Sequence, residues 1–200
     1  MPSTDTFTGE RFVDEDWYAR DLSGLRFDDC TFRDVDLTEA HGSGVVFQSC
    51  TFDNCRLNAA ELRETMLAGC TLRRTSLFGA TLDGCKVVGS VFVECTLRPI
   101  TVRGGQWRGV VMRGAKLSRL DLSGVPLAEA DLADADLTDT VLRGCDLTGA
   151  VLRGAILHGA DLRGALLDRV DLASARLRDT RLDLAGAVAL AEQAGALVET

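Results

Sequence analysis

Large apolar side chains recur at every fifth position of the chain, from Phe7 to Leu182. Every position of this series holds leucine, phenylalanine, tryptophan, valine or methionine, with Gly42 as the one exception. Residues 151–165 show the pattern most clearly, as VLRGA, ILHGA and DLRGA in succession. A period of five fits neither the 3.6-residue period of a helix nor the two-residue period of a strand. The sequence is therefore interpreted first as an internal repeat and only then by local propensity.

Each repeat has an alternation of its own around its large apolar residue, which we number i. Position i−2 is mostly small and apolar, and position i−1 is mostly polar, which is the in-out-in order of a short strand. Most of the 20 glycines lie at position i+2. A type II turn needs a positive φ there, and glycine adopts it without steric strain. Each repeat is therefore predicted to be a short strand followed by a corner.

Phenylalanines define a second, longer period of 20 residues. Two sets recur at this interval, namely Phe7, Phe27 and Phe47, and Phe12, Phe32 and Phe52. Similar side chains stacked at that interval predict four repeats per coil, and so an all-β solenoid of square section with about nine coils. Successive coils should lie about 4.8 Å apart, as neighbouring strands do. Such a solenoid is stabilised by contacts between neighbouring coils, and its ends need caps.

Both ends of the chain depart from the repeat. Residues 1–20 are expected to form an irregular N-terminal coil and cap, because their i−2 column is charged and cannot be buried unpaired. Residues 21–182 are predicted to form the solenoid. Residues 183–200 are predicted to contain a helix that Asp183 caps, that ends near Ala194 and that covers the last coil. The same helix is expected to dimerise the chain through Leu184, Ala187, Val188, Leu190 and Ala191.

No catalytic or metal-binding pattern stands out in the sequence. All seven cysteines lie at position i−2, which indicates small buried side chains rather than a metal site or disulfides. The two histidines are far apart, and neither a phosphate-binding loop nor a dinucleotide motif is present. We therefore expect a protein that binds a partner, with no cofactor, no metal and no enzymatic activity.

Gly42 breaks the series of large apolar residues. The missing side chain leaves room in the core, which predicts a local bulge within residues 40–44. A binding role for the neighbouring His41 is an alternative interpretation of the same break.

The net charge of −8 is unevenly distributed. Residues 1–39 and 121–200 each carry a net charge of −7, whereas residues 40–120 carry +6. The basic middle favours an acidic protein partner or, alternatively, nucleic acid. However, the overall charge and the few aromatic residues outside the core positions argue against direct nucleic-acid binding. The sharpest acidic feature is a band in the C-terminal coils that consists of Asp121, Glu129, Asp131, Asp134, Asp136, Asp139 and Asp146.

The sequence of the repeats resembles the A(D/N)LXX motif of the pentapeptide-repeat family, as in residues 130–134 (ADLAD) and 160–164 (ADLRG). Within that family it is similar to the MfpA/Qnr-type fluoroquinolone-resistance proteins, in residues 89–99 and in the terminal helix. The uninterrupted coils favour the MfpA side of that group. The resemblance implies a right-handed quadrilateral β-helix and a homodimer joined through the C-terminal ends.

The resemblance also implies DNA gyrase as the protein partner. In that case the acidic band imitates duplex DNA, and the protein inhibits gyrase or protects it from fluoroquinolones or other topoisomerase poisons. The alternative is a pentapeptide-repeat scaffold that binds another protein and has no role at gyrase. No apolar run approaches the roughly 20 residues of a membrane span, so we expect a cytoplasmic protein.

Overall fold

The computed structural model describes residues 5–199, and over this range the chain is a parallel β-solenoid followed by one short α-helix. The predicted fold class is thus confirmed. The elements are β1 (Thr6–Thr8), β2 (Arg11–Val13), β3 (Arg26–Asp28), β4 (Thr31–Arg33), β5 (His41–Ser43), β6 (Val46–Gln48), β7 (Thr51–Asp53), β8 (Glu61–Arg63), β9 (Met66–Ala68), β10 (Thr71–Arg73), β11 (Thr81–Asp83), β12 (Val91–Val93), β13 (Thr101–Arg103), a 3₁₀ helix (Leu172–Ser174) and α1 (Leu184–Gln193).

The strands form three parallel sheets, which are three sides of the solenoid. Their orders are β1-β3-β6-β9, β12-β10-β7-β4-β2 and β13-β11-β8-β5. The fourth side is held by isolated parallel bridges such as Asp36↔Arg56 and Arg56↔Ser76. Paired residues are 20 positions apart along the chain, as in Phe27↔Phe47. The square coil of four repeats that the phenylalanine period predicts is therefore present.

The expectation of nine strand-built coils was too high. Strands make about five turns, between Thr6 and Arg103. Beyond Arg103 the 20-residue register continues through single bridges, for example Val111↔Asp131 and Asp131↔Val151. In this part each corner is closed by a backbone hydrogen bond, such as the one that the Ala130 N–H donates to the Leu127 carbonyl (3.0 Å). Because residues that would otherwise extend the strand form the tight turn, only one residue on each side still pairs with the neighbouring coil.

The corners have the predicted backbone conformation. Position i+2 has a positive φ in almost every repeat, whether glycine occupies it, as at Gly154 (φ 71°), or an acidic residue, as at Asp134 (φ 59°). Aspartate and asparagine tolerate this conformation better than most side chains do. The corners therefore expose carboxylates without losing the turn.

The interior is filled by the large apolar residues and by the small i−2 column. Phe32 is fully buried and stacks on Phe12 and Phe52, with ring centroids 5.0 and 4.7 Å away. Six of the seven cysteines are buried, as their position i−2 in the repeat predicts. The Cys55 thiol donates to the Phe32 carbonyl (3.4 Å), and burial raises the pKa of this thiol to about 11. The cysteines thus belong to the packing of the core.

The predicted bulge at Gly42 is wrong. Gly42 lies in β5 and pairs in regular register with Leu62. The side chain of the fully buried Val45 fills the space instead, because a Cβ on Gly42 would lie only 2.7 Å from Val45 Cγ2. His41 is exposed on the outer face of β5.

Backbone pairing is interrupted between residues 94–104, which we call the upper lip, and residues 113–123, the lower lip. Within the described chain no backbone hydrogen bond joins the two lips, although the lower lip bonds normally to the next coil, as from Leu117 N–H to the Asp136 carbonyl (2.8 Å). Pro99 lies in the upper lip and Pro126 lies just beyond the lower lip, and each removes a donor that the ladder would use. By the ladder register, Pro99 would donate to the Ser118 carbonyl and Pro126 to the Gly105 carbonyl. We call this opening the seam.

The ends of the solenoid differ from each other. The described part of the expected irregular N-terminal segment is regular, since β1 and β2 pair in register with β3 and β4. Residues 1–4 lie outside the described residues. At the other end Asp183 caps α1 as predicted, its side chain accepting from the Gly186 N–H (2.9 Å). No helix among the described residues is long and apolar enough to span a membrane.

Candidate protein-binding surface

The acidic band forms a ring around the solenoid. Its seven residues lie within residues 120–149, which form six repeats, and all of these repeats except residues 140–144 contribute at least one carboxylate. Four successive repeats pass once around the square section. Asp121, Asp131, Asp136 and Asp146 each occupy the outward i−1 position of a different side, and Glu129, Asp134 and Asp139 lie at corners between sides. No single side therefore carries a continuous stripe of these carboxylates.

Three of the carboxylates in the band are paired with arginines of the preceding coil. Arg108 binds Glu129 (2.7 Å) and Arg113 binds Asp131 (2.5 Å), while Arg119 lies 3.9 Å from Asp139. Counting charges along the sequence missed these pairs, because the partners are 18 to 21 residues apart. The 20-residue period was the signal that could have found them.

The paired arginines also reduce the free charge of the basic middle. Arg74 binds Asp53 (2.5 Å), and Arg108 and Arg113 form ion pairs with carboxylates of the acidic band. Among the described residues, Arg103 and Lys116 form no ion pair. The basic middle therefore presents fewer available cations than its composition indicates.

Asp121, Asp136 and Asp146 share a different arrangement. Each side chain accepts a hydrogen bond from the backbone N–H two residues later, at 2.9, 3.1 and 3.0 Å respectively. Hydrogen bonds from Ser123, Thr138 and Thr148 lower the pKa of the three carboxyl groups. Within residues 5–199 none of the three forms an ion pair, so they are fixed and ionised. The positive charges of Arg98 and Lys116 near Asp136 lower the pKa of that carboxyl group further.

Asp161, which sequence reasoning did not single out, lies at the centre of a cluster of charged side chains next to the acidic band. It is nearly covered and lies between Arg163 (2.7 Å) and Arg143 (3.1 Å). Hydrogen bonds from Arg163 hold the pKa of its carboxyl group well below the usual range. The cluster links two successive coils and offers little free charge to a partner.

Helix α1 presents two different faces. Gly186 is buried against Leu167 and Leu182, and Leu190 packs on the core, so this side covers the last coil. Leu184, which is 82% exposed, and Ala187 lie on the opposite side and point away from it. Of the residues expected to dimerise the chain, Leu190 thus serves the cap. Leu184 and Ala187 are exposed, while Val188 and Ala191 are half-buried.

Comparison with family models gives a match to pentapeptide repeats over residues 21–58, 55–92, 108–144, 130–169 and 145–183. These segments cover more than half of the chain. The chain belongs to the pentapeptide-repeat family. No curated protein sequence matches it significantly.

Among solved structures, this pentapeptide-repeat chain is similar to QnrB1, described as a plasmid-mediated fluoroquinolone resistance protein. One trypsin-treated variant of QnrB1 aligns with a TM-score of 0.85 and 19% identity, over 98% of this chain and 100% of that one. A second trypsin-treated variant gives a TM-score of 0.72 at 18% identity, over 98% of this chain and 100% of that one. Full-length QnrB1 gives 0.58 at 18% identity, over 96% and 100%. At these identities the similarity establishes a shared fold.

Proposed function

We propose that this pentapeptide-repeat protein binds DNA gyrase in place of duplex DNA, and that it inhibits the enzyme or protects it from fluoroquinolones or other topoisomerase poisons. The fold similarity to a fluoroquinolone-resistance protein over nearly the whole chain supports this proposal. The protein would act by binding alone, in the cytoplasm with its target.

The observation that carries the proposal is the set of three fixed carboxylates, Asp121, Asp136 and Asp146. Protein surfaces that bind DNA are rich in lysine and arginine and contact mainly phosphates. A carboxylate that backbone hydrogen bonds hold in place can meet such a surface at a lower entropic cost than a mobile one. Because these residues lie on different sides, one gyrase surface would contact only part of the ring.

A supercoiling assay with the cognate gyrase, with and without a fluoroquinolone, tests the proposal. The variant Asp121→Asn/Asp136→Asn/Asp146→Asn removes three charges but keeps an oxygen acceptor for each backbone N–H. We expect it to lose most of the effect on gyrase. The control is Asp16→Asn/Asp21→Asn at the other end, which removes two charges from side chains that accept the same kind of hydrogen bond at 2.9 Å.

A DNA mimic should also compete with duplex DNA and should bind gyrase more weakly as salt rises. If the triple variant acts like the wild-type protein, the carboxylates have no part in the effect. If the wild-type protein changes neither supercoiling nor drug sensitivity, the alternative of a scaffold for another protein replaces the proposal.

We further propose that the outward side of α1 joins two copies of the chain. Truncation after Leu182 should give monomers in sedimentation, but it also uncovers the last coil. Ala187→Glu is the sharper test, because it places a charge on the outward side without touching the cap. Leu197→Glu, at a 96% exposed position beyond the helix, is the control. A dimer that persists in Ala187→Glu would show that the interface lies elsewhere.

A further inference from the structure

The seam exposes a strand edge that has no partner. Two of the three sheets continue past their last strand, since Met66 of β9 bridges to Lys86 and Val91 of β12 bridges to Val111. Within the described chain β13, at Thr101–Arg103, pairs with β11 on one side and with nothing on the other.

The unpaired backbone groups of the seam occur in ladder order. Regular register would join the Val102 N–H to the Asp121 carbonyl, the Gly104 N–H to the Ser123 carbonyl, and the Asp121 N–H to the Ile100 carbonyl. None of these bonds is formed, and no side chain in residues 5–199 bonds these N–H groups instead. Donors and acceptors therefore alternate along both lips. This is the pattern that recognises a peptide backbone in strand addition.

The space beside β13 is a groove rather than a closed contact. A hollow of ≈ 340 Å³ lies between residues 100–104 and Asp121 with Ser123. Its inner wall is apolar, because Ile100 and Val102 are partly uncovered here. The cavity behind this wall, next to Trp107 and Met112, is only ≈ 20 Å³. Apolar side chains of a bound segment would thus rest on the wall without entering the core.

Beside β13 the groove is bordered by one base, Arg103, and one acid, Asp121, but the rim of the whole seam, which continues onto the neighbouring side of the solenoid, is mainly basic. Arg103 and Lys116 are exposed and form no ion pair among the described residues, and Arg98 bonds the Ser118 carbonyl (3.3 Å) across the seam. Glu94 and Asp121 are the acidic residues of the rim. The rim therefore carries an excess of positive charge in a protein whose net charge is −8.

We propose that the seam binds an extended acidic segment of a partner protein, added as a strand beside β13, in which acidic and large apolar side chains alternate. Successive side chains of a strand point to opposite faces. The apolar ones would contact Ile100 and Val102, and the acidic ones would face Arg103 on this side of the solenoid. Where the segment continues along the seam to the neighbouring side, they would also face Lys116. The exposed carbonyls favour a peptide over a nucleic acid, because a phosphate cannot donate a hydrogen bond to them.

The probe is a fluorescein-labelled peptide in which glutamate and leucine alternate, and its binding to the full-length protein is followed by fluorescence anisotropy. Arg103→Gln/Lys116→Gln should weaken binding about tenfold, as expected for the loss of two charge contacts. The matched control is Arg63→Gln/Lys86→Gln, which removes the same charge at exposed positions outside the seam.

Amide hydrogen exchange distinguishes strand addition from loose ionic association. The N–H groups of Val102, Gly104 and Asp121 should exchange rapidly in the free protein and slow down when the peptide is bound. A peptide with N-methyl groups along its backbone should not bind, since it cannot pair with the edge.

Three results would each overturn the proposal. The first is an absence of any anisotropy change, and the second is unchanged exchange at those amides in a bound complex. The third is equal binding of single-stranded oligothymidylate, which would assign the rim to nucleic acid. None of these results depends on gyrase, so this proposal and the proposed function can fail separately.

Discussion

Adjacent glycines at positions 104 and 105 allow a direct test of how closely the coils pack. Both have a positive φ, 61° at Gly104 and 90° at Gly105. A Cβ on Gly104 would meet nothing within 4 Å. A Cβ on Gly105 would overlap the Cys85 carbonyl oxygen of the preceding coil and would lie 3.0 Å from the Cys85 nitrogen. The two alanine variants therefore differ mainly in one backbone clash.

The cost of each variant follows from these contacts. Gly104→Ala should destabilise the protein by about 1 kcal/mol, the penalty for an L-residue in the left-handed region. Gly105→Ala carries the same penalty, and its methyl group must also push the preceding coil away. Overpacking of a dense interior in this way adds about 3 kcal/mol. For a chain of this length a difference of about 3 kcal/mol corresponds to about 6–12 °C in Tm.

Thermal unfolding followed by circular dichroism measures the difference, with both variants at the same protein concentration. A Gly105→Ala protein that melts within about 1 °C of Gly104→Ala would refute the reasoning. It would mean that coils can slide apart at little cost, and the solenoid would then be looser than its hydrogen bonds indicate.

Three further perturbations test the core and one of the fixed carboxylates. Phe32→Ala should cost about 3–5 kcal/mol in chemical denaturation, because it removes a fully buried ring, whereas Phe78→Ala at a 54% exposed position should cost less than about 0.5 kcal/mol. Gly42→Ala should destabilise the protein by about 1–2 kcal/mol, because Val45 must turn away, and adding Val45→Ala should recover part of that loss. The folded-state pKa of Asp136 is lowered, so its stabilising effect is present above about pH 4 and is lost as the pH falls through that lowered pKa. The Tm of the wild-type protein should therefore fall steeply below about pH 4, and the Tm of the Asp136→Asn variant should fall less over the same pH range. Parallel curves of Tm against pH for the two proteins would contradict this assignment.

The fold could be predicted because its period is constant. The series from Phe7 to Leu182 fixes which side chains are buried, and the phenylalanine interval fixes the number of sides. The extent of the strands could not be obtained in this way. It depends on whether a corner closes with its own hydrogen bond, as at Ala130, and both kinds of repeat have similar sequences.

The candidate site was predicted less completely, because its properties depend on residues one coil away. Glu129 and Asp131 look like free carboxylates in the sequence, but Arg108 and Arg113 neutralise them from the preceding coil. The seam also involves positions in different coils. Pro99 follows the repeat register, and its lost donor becomes visible only when Ser118 is placed beside it.

The 20-residue register restricts how the length of this chain can change. Removing one residue from the solenoid would move every later large apolar side chain out of the interior. Removing a whole repeat would keep the interior filled but would turn everything that follows by about a quarter of a revolution, so that Asp136 would move to a neighbouring side. Only the loss or gain of a complete coil leaves each side chain facing the direction it faces now. Family members that differ in length by whole coils can therefore share a binding surface, whereas those that differ by a single repeat present it to a different side.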